Sequence, residues 1–270
     1  MSPELKDFLG KRFVFEKPFT RIVSLVPSST ETLFEIGAGE KVIGVTSFCI
    51  HPKEGVKKKI KVGGTKNLKI QIVVDANPDL IVANIEENTK EDIEELQSKG
   101  LNVFVTHPRN CEDSIAHIRG LGMLTGCEKA AEILARAQEE ALLRLPHRSK
   151  IPTVLYLIWK NPYMTINKDT YVHSLIENGG GKNPFGANPK RYPEISLEDI
   201  HCVNPDAILL PSEPYHFKET DREELLRDSS LKAAKKGNIF LINGEDTCWF
   251  GPRMGKGLLI LSEIFEKVVS

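Results

Sequence analysis

The chain repeats itself, and this constrains its fold more than any other feature. Asn77-Pro78-Asp79-Leu80-Ile81-Val82-Ala83-Asn84 returns as Asn204-Pro205-Asp206-Ala207-Ile208-Leu209-Leu210-Pro211. In each copy Pro-Asp punctuates a turn, and the apolar run after it has the length of a buried strand. Just ahead of the copies, Leu68 to Ala76 and Ile195 to Val203 are apolar-periodic and suit short helices. Ser196-Leu197-Glu198-Asp199 has the form of a capping box, in which a serine oxygen and an acid three residues on satisfy orphan amides reciprocally. After the copies, Lys99-Gly100-Leu101-Asn102-Val103-Phe104-Val105 and Lys236-Gly237-Asn238-Ile239-Phe240-Leu241-Ile242 both read as a helix stop and then a strand.

Each half also opens alike. Arg21 to Val26 reads as a strand, and Ser28-Ser29-Thr30-Glu31 caps a helix that runs to Gly37. Thr153 to Trp159 reads as a strand, and Asp169 caps a helix that runs to Gly179-Gly180-Gly181. Glycine supplies the left-handed residue that ends each helix. Strands alternating with helices predict an α/β fold of two Rossmann-like lobes with mostly parallel sheets. The predicted divisions are an N-terminal α/β lobe over 1–112, a linking long helix over 113–150 and a C-terminal α/β lobe over 151–270. The run Glu128 to Gln138 is rich in strong helix formers. One helix over 128–145 would span ~27 Å, with Pro146 and Pro152 bracketing its exit. A single long helix bridging two lobes is a stiff spacer rather than a loose hinge. Two such lobes leave a cleft at the carboxyl ends of their strands, where small ligands commonly bind.

Composition excludes other classes. The formal net charge of −1 gives no bulk electrostatic reason to bind nucleic acid or an acidic membrane. The longest apolar stretches, such as Ile22 to Val26, fall far short of the ~20 residues that cross a bilayer. The opening residues show no basic region followed by an apolar one, so the reading is a cytoplasmic chain, or an extracytoplasmic one whose signal has been removed. The five cysteines, Cys49, Cys111, Cys127, Cys202 and Cys248, are odd in number and form no C-x-x-C pair, which argues against a disulfide framework or structural zinc. Gly179-Gly180-Gly181-Lys182 follows a helix and lacks the spacing of a phosphate loop, and no G-x-S-x-G or H-E-x-x-H motif occurs. The run Lys57-Lys58-Lys59-Ile60-Lys61 reads as a solvated loop.

An ordered set of motifs carries a family resemblance. The stretch from Arg21 to Gly37 (with Ser28-Ser29-Thr30-Glu31 at its centre) resembles the opening of the class III periplasmic binding proteins. The resemblance continues through Gly44-Val45-Thr46-Ser47-Phe48, Val62-Gly63-Gly64-Thr65, Asn77-Pro78-Asp79-Leu80 and Trp249-Phe250-Gly251-Pro252-Arg253, over roughly residues 20–268. It is nearest to the cobalamin-binding branch and its non-secreted relatives, the helical-backbone metal receptors. That likeness implies two α/β lobes joined by one long helix, ligand capture between the lobes, no catalysis and no intrinsic cofactor. The implied ligand is a metal-containing small molecule: a corrinoid such as cobalamin first, with haem or a ferric siderophore as the other members. The implied partner is an ABC transporter permease, met through one exposed acid on each lobe. Glu198 matches the C-terminal position, whereas the N-terminal position falls on the uncharged Gln71. A monomer is expected.

Candidate ligand residues follow. The Ser28-Ser29-Thr30 turn places free amides at a helix start, which attracts anionic groups, and ordinary capping fits it equally. In the resembled branch an aromatic and an arginine near Trp249, Phe250 and Arg253 line the pocket, and rings and guanidinium suit a large macrocycle with polar substituents. The other tryptophan, Trp159, also ends a strand, and Tyr163 stands in the matching pocket segment of the second half. Phe48-Cys49-Ile50-His51 follows the second strand, so Phe48 is a lining candidate, and the His51 imidazole could act as an axial ligand to a bound metal. Lys66 and Glu86-Glu87 stand after strands, where they fit a ligand bearing amides and phosphate. The alternative function is a metal-dependent enzyme or metallochaperone using Cys49, His51, His107 and His173, with Glu86, Glu87 and His216 as further donors, although no spacing forces such a set.

Overall fold

The computed structural model describes residues 4–146 and 149–270. Residues 1–3 and two positions of the expected linking segment therefore lie outside the described residues. The chain divides into two compact units, Met1–Pro108 with Glu112–Gln138, and Arg109–Cys111 with Glu139–Ser270.

The first unit is built on a five-stranded, all-parallel sheet. Its spatial order is Ile60–Lys61, Val42–Val45, Ile22–Ser24, Leu80–Asn84, Val103–Thr106. Numbered along the chain this order is 3-2-1-4-5, the doubly wound arrangement. The central strands Ile22–Ser24 and Leu80–Asn84 are buried at every position, as sheets covered on both faces require. One outer strand, Ile60–Lys61, is exposed and ends in a lysine, which discourages edge pairing. The other is met by the hairpin of Glu4–Lys6 and Arg12–Val14. There the Phe8 amide donates to the Val105 carbonyl at 2.8 Å, and the Val105 amide donates to the Asp7 carboxylate at 3.4 Å.

The second unit carries a three-stranded parallel sheet in the order Val154–Tyr156, Ala207–Pro211, Ile239–Ile242. Its core gathers Leu155, Leu157, Ile200, Ile208, Leu210, Phe217, Leu225 and Leu231. A short antiparallel pair, Tyr163–Met164 with Glu194–Ile195, packs beside it.

The repeat has a physical cause. Asn77 and Asn204 both take left-handed backbone, with φ of 47° and 41°, and both follow a helix, Ile70–Asp75 and Leu197–Val203. The Asp79 carboxylate then accepts the Thr20 and Arg21 amides at 2.8 and 2.9 Å, and the Asp206 carboxylate accepts the Thr153 amide at 2.9 Å. The Asn102 and Asn238 side chains donate to the carbonyls of Asp79 and Asp206 at 3.2 and 3.1 Å. Each copy is thus a clasp that ties three neighbouring strands together at their amino ends.

Three local expectations need correction. The helix after the first strand is Pro27–Glu35, and its N-cap is Val26. Ser28, Ser29 and Thr30 lie inside its first turn, because Pro27 occupies the first helical position, where no amide hydrogen is needed. In the second half Thr170, not Asp169, caps the helix Tyr171–Asn178, its hydroxyl accepting the His173 amide. The linking segment holds two helices, Cys111–Thr125 and Glu128–Leu143, separated by Gly126 at φ 68°. The second is the expected long helix, two residues shorter than 128–145, and it contributes residues to both units. The capping box at Ser196 and Asp199 forms as expected.

Candidate functional site

In doubly wound sheets ligands collect outside the carboxyl ends of the strands, where the strand order reverses. In the first unit that point lies between Ile22–Ser24 and Leu80–Asn84. Ser28 sits four residues past the first of these strands and is buried at 4 % exposure. Its carbonyl accepts the Thr32 hydroxyl at 2.7 Å, while the first amides of the helix have no intrahelical acceptor. Past the second strand the chain makes a rigid polar loop. The Asn84 side-chain oxygen accepts the amides of Glu86 and Glu87 at 2.8 and 3.3 Å. The Asn88 side chain accepts the Asn84 amide at 2.9 Å and donates to the Thr65 carbonyl at 3.1 Å. Lys66 lies over this loop, its ammonium donating to the Glu86 carbonyl at 2.5 Å. Burial pushes the Glu87 carboxyl above the usual range, with Lys66 opposing and Glu86 reinforcing the shift.

The same end of the sheet carries exposed apolar side chains: Phe48 at 60 %, Ile50 at 48 % and Ile85 at 41 %. Cys49 between them turns inward. Its sulfur lies 3.1 Å from the Thr30 hydroxyl and 3.2 Å from that of Thr46, and burial pushes the thiol pKa up. His51 is half-buried two residues on. His107 stacks edge-on against Phe8 with centroids 4.5 Å apart and lies 3.9 Å from the Glu86 carboxylate.

In the second unit Trp159 stands just past Val154–Tyr156, at 42 % exposure. It forms an antiparallel bridge with Met164, and its ring meets Tyr215 edge-on at 5.5 Å. Tyr215 in turn meets the buried Phe217 at 4.7 Å, so the exposed indole is anchored through a line of rings to the core. Lys160 next to it reaches both Asp221 and Glu224 at 2.7 Å. Tyr163 is half-buried against the core, and desolvation raises its phenol pKa.

Trp249 and Phe250 follow the short helix Gly244–Cys248 and are largely buried, at 9 % and 8 %. The Arg253 guanidinium lies over the Trp249 ring at 5.0 Å and pairs with Asp246 at 3.0 Å and Glu245 at 3.1 Å. Phe250 meets Tyr171 edge-on. The two tryptophans therefore differ: Trp159 is 42 % exposed, whereas Trp249 is a packed ring under an arginine.

Among the described residues no three His, Cys, Asp or Glu side chains are grouped to hold a metal ion. His173 contacts the Asn183 side chain at 3.2 Å, and burial lowers its pKa. His216 lies 3.1 Å from the Ser212 carbonyl. Sequence reasoning missed Asn84, Asn88, Tyr215 and the pair Asp221 and Glu224. A polar asparagine closing a fully apolar strand was the signal available for Asn84.

Glu198 and Gln71 are both exposed, each six residues before its left-handed asparagine, on the second residue of its helix. Gln71 donates to the Asp75 carboxylate one turn on, at 2.7 Å. Among the described residues no helix is long and apolar enough to cross a membrane.

A protein-family model described as periplasmic binding protein matches residues 22–245. The vitamin B12-binding protein of Vibrio parahaemolyticus is 24 % identical, covering 97 % of this chain and 94 % of its own length. An uncharacterized ABC transporter substrate-binding lipoprotein of Bacillus subtilis is 27 % identical, covering 96 % of this chain and 84 % of its own. Among solved structures, the periplasmic vitamin B12-binding protein of Vibrio cholerae superposes with a TM-score of 0.82 at 18 % identity, covering 94 % of this chain and 99 % of that one. A possible iron-binding periplasmic protein of Staphylococcus epidermidis superposes at 0.79 with 27 % identity, covering 92 % and 99 %.

Proposed function

Because this chain belongs to the periplasmic binding protein family, we propose that it captures a large metal-containing small molecule, a corrinoid before haem or a ferric siderophore. The family consists of solute-binding proteins, so the chain is a binding protein and not an enzyme. The metal complex is cargo.

The observation that carries the proposal is the pair of exposed aromatic rings, Phe48 and Trp159, each just past a strand of a parallel sheet. A buried indole is ordinary core; one that is 42 % exposed and packed at an angle against Tyr215 offers apolar surface to a flat ring system. In the first unit Ser28, Lys66 and the loop at Glu86 and Glu87 supply polar groups at the strand ends that carry Phe48; the second unit, taken by itself, offers Tyr163 and Arg253. The buried, hydroxyl-bonded Cys49 makes a poor metal ligand, so the apolar surfaces carry the reading rather than a protein-only metal site. His51 remains an axial-ligand candidate. The names of the relatives support a B12-type cargo.

Delivery to an ABC permease follows from the same kinship, and Glu198 is the acidic contact on the second unit. On the first unit Asp75, oriented by Gln71, supplies the carboxylate that position 71 lacks. The lipoprotein relative favours the extracytoplasmic placement over the cytoplasmic one.

The test is a thermal-denaturation panel with aquocobalamin, haem, a ferric siderophore and divalent cations. At a hundredfold excess over Kd the bound complex gains about 2.7 kcal/mol, or about 5–10 °C in Tm for a chain of this size. A rise with aquocobalamin and a shifted visible spectrum are the expected results. A rise only with a bare cation would sink the proposal.

A further inference from the structure

We infer that the turn of the N-terminal hairpin is a seat for an anionic lipid surface, its two apolar side chains entering the headgroup layer while a lysine on either side meets the phosphates. All of its residues belong to the first unit, and nothing in it depends on the cargo.

The hairpin pairs Glu4–Lys6 with Arg12–Val14, Lys6 opposite Arg12. Its inner side is ordinary core. Phe13 is buried and meets Phe104 edge-on at 5.2 Å, and a β-carbon on Gly120 would stand 3.4 Å from Leu5. The turn is different. Phe8 and Leu9, adjacent in the chain, are 44 % and 57 % exposed, and Val14 on the same hairpin is exposed as well. Single exposed apolar side chains are ordinary. Here two stand together on a turn whose backbone is tied down. The buried Asp7 carboxylate accepts the Lys11 amide at 2.8 Å and the Val105 amide at 3.4 Å. The Asp7 amide donates to the Lys11 carbonyl at 3.0 Å, the Gly10 amide to the Asp7 carbonyl at 3.0 Å and the Phe8 amide to the Val105 carbonyl at 2.8 Å. Gly10 closes the turn at φ 81°.

The same bonds sort the charge. The one acid of the turn, Asp7, faces inward onto backbone amides. Glu4, on the first strand, is paired with Arg12 at 2.5 Å. Lys6 and Lys11 are exposed, one on each side of Phe8 and Leu9 in the chain, and among the described residues neither forms an ion pair. An apolar tip between two uncommitted ammoniums is the complement of a bilayer interface, where anionic phosphates lie over an apolar interior. A nucleic acid offers the phosphates without a layer for Leu9 and Val14. The chain's net charge of −1 gives no attraction in bulk, so this one is local and is screened beyond about 10 Å at 0.1 M salt. Two apolar side chains and two lysines make a weak, reversible hold, one that orients a receptor already at the membrane rather than anchoring it.

The experiment is flotation of the full chain with vesicles of phosphatidylcholine alone, and with about a third phosphatidylglycerol, at low and high salt. The expected result is binding to the anionic vesicles that fades as salt rises. Affinity should fall about tenfold in Leu9→Ser and about tenfold in Lys6→Gln combined with Lys11→Gln. It should not change in Leu259→Ser, a leucine 54 % exposed on the helix Met254–Val269. In Leu9→Trp the emission of the added indole should shift to the blue with anionic vesicles alone, which reads contact at the tip should the serine variant fold poorly. No binding to anionic vesicles, or binding that the Leu9 and lysine variants leave unchanged, overturns the inference. A concentration-dependent dimer that Leu9→Ser abolishes, without vesicle binding, overturns it in favour of a second copy of this chain.

Discussion

At the scale of single residues the site depends on side chains whose partners are far away in sequence. Trp159, 42 % exposed, packs at an angle against Tyr215, and Lys160 beside it is fixed by Asp221 and Glu224. Replacing Trp159 by Ala should weaken macrocycle binding at least tenfold, since ring stacking is worth about 0.5–1.5 kcal/mol on top of about 1.5–3 kcal/mol for the apolar area buried; an absorbance titration measures it, with circular dichroism unchanged. Lys160→Met leaves Asp221 without its cation and should cost about 1–3 kcal/mol of stability, read by urea denaturation. A second residue gives a pH dependence. Burial pushes the His117 imidazole down to about 3 from 6.5, so it is neutral in the fold. The unfolded chain takes up that proton near pH 6.5, and the fold does not until about 3. Stability that is complete above pH 6.5 is therefore lost as the pH falls through this window, at about 1.4 kcal/mol per unit. Denaturation of His117→Gln at pH 7 and 4.5 should show a shallower loss than the parent.

At the scale of elements, close packing explains which glycines cannot change. A β-carbon on Gly257 would collide with the Asp246 carbonyl, and one on Gly244 would stand 2.7 Å from the Glu213 amide nitrogen. Gly257→Val should therefore separate the helix Met254–Val269 from the helix Gly244–Cys248, disturb the Asp246 pairing of Arg253 and cost about 1–3 kcal/mol; Tm and Trp249 fluorescence would report it. The strands were legible because a parallel strand covered on both faces is an unbroken apolar run, as in Leu80–Asn84 and Ala207–Pro211. The helix Cys111–Thr125 was not. Its Gly120 and Gly122 lower helix propensity, and Gly122 is there because Ala131 of the next helix presses on it. The aromatic candidates could be found from residue type and position alone. The acids that hold Lys160 could not, because they lie some sixty residues away and no periodicity links them.

At the scale of the whole molecule the two units share one construction: a parallel sheet clasped at its amino ends by an asparagine in left-handed backbone and an aspartate carboxylate. Asp79→Ala and Asp206→Ala should each cost about 1–3 kcal/mol by leaving strand-entry amides without an acceptor, and since the sites share no partner the two losses should add in the double variant, as measured by denaturant titration. One piece has no counterpart in the repeat, the hairpin that lies against Val105. It keeps the row of amides and carbonyls along Val103–Thr106 from recruiting a strand of another molecule. A variant lacking residues 1–15 should thus grow by sheet extension, with light scattering rising as the concentration squared at the onset, long before the fold itself is lost.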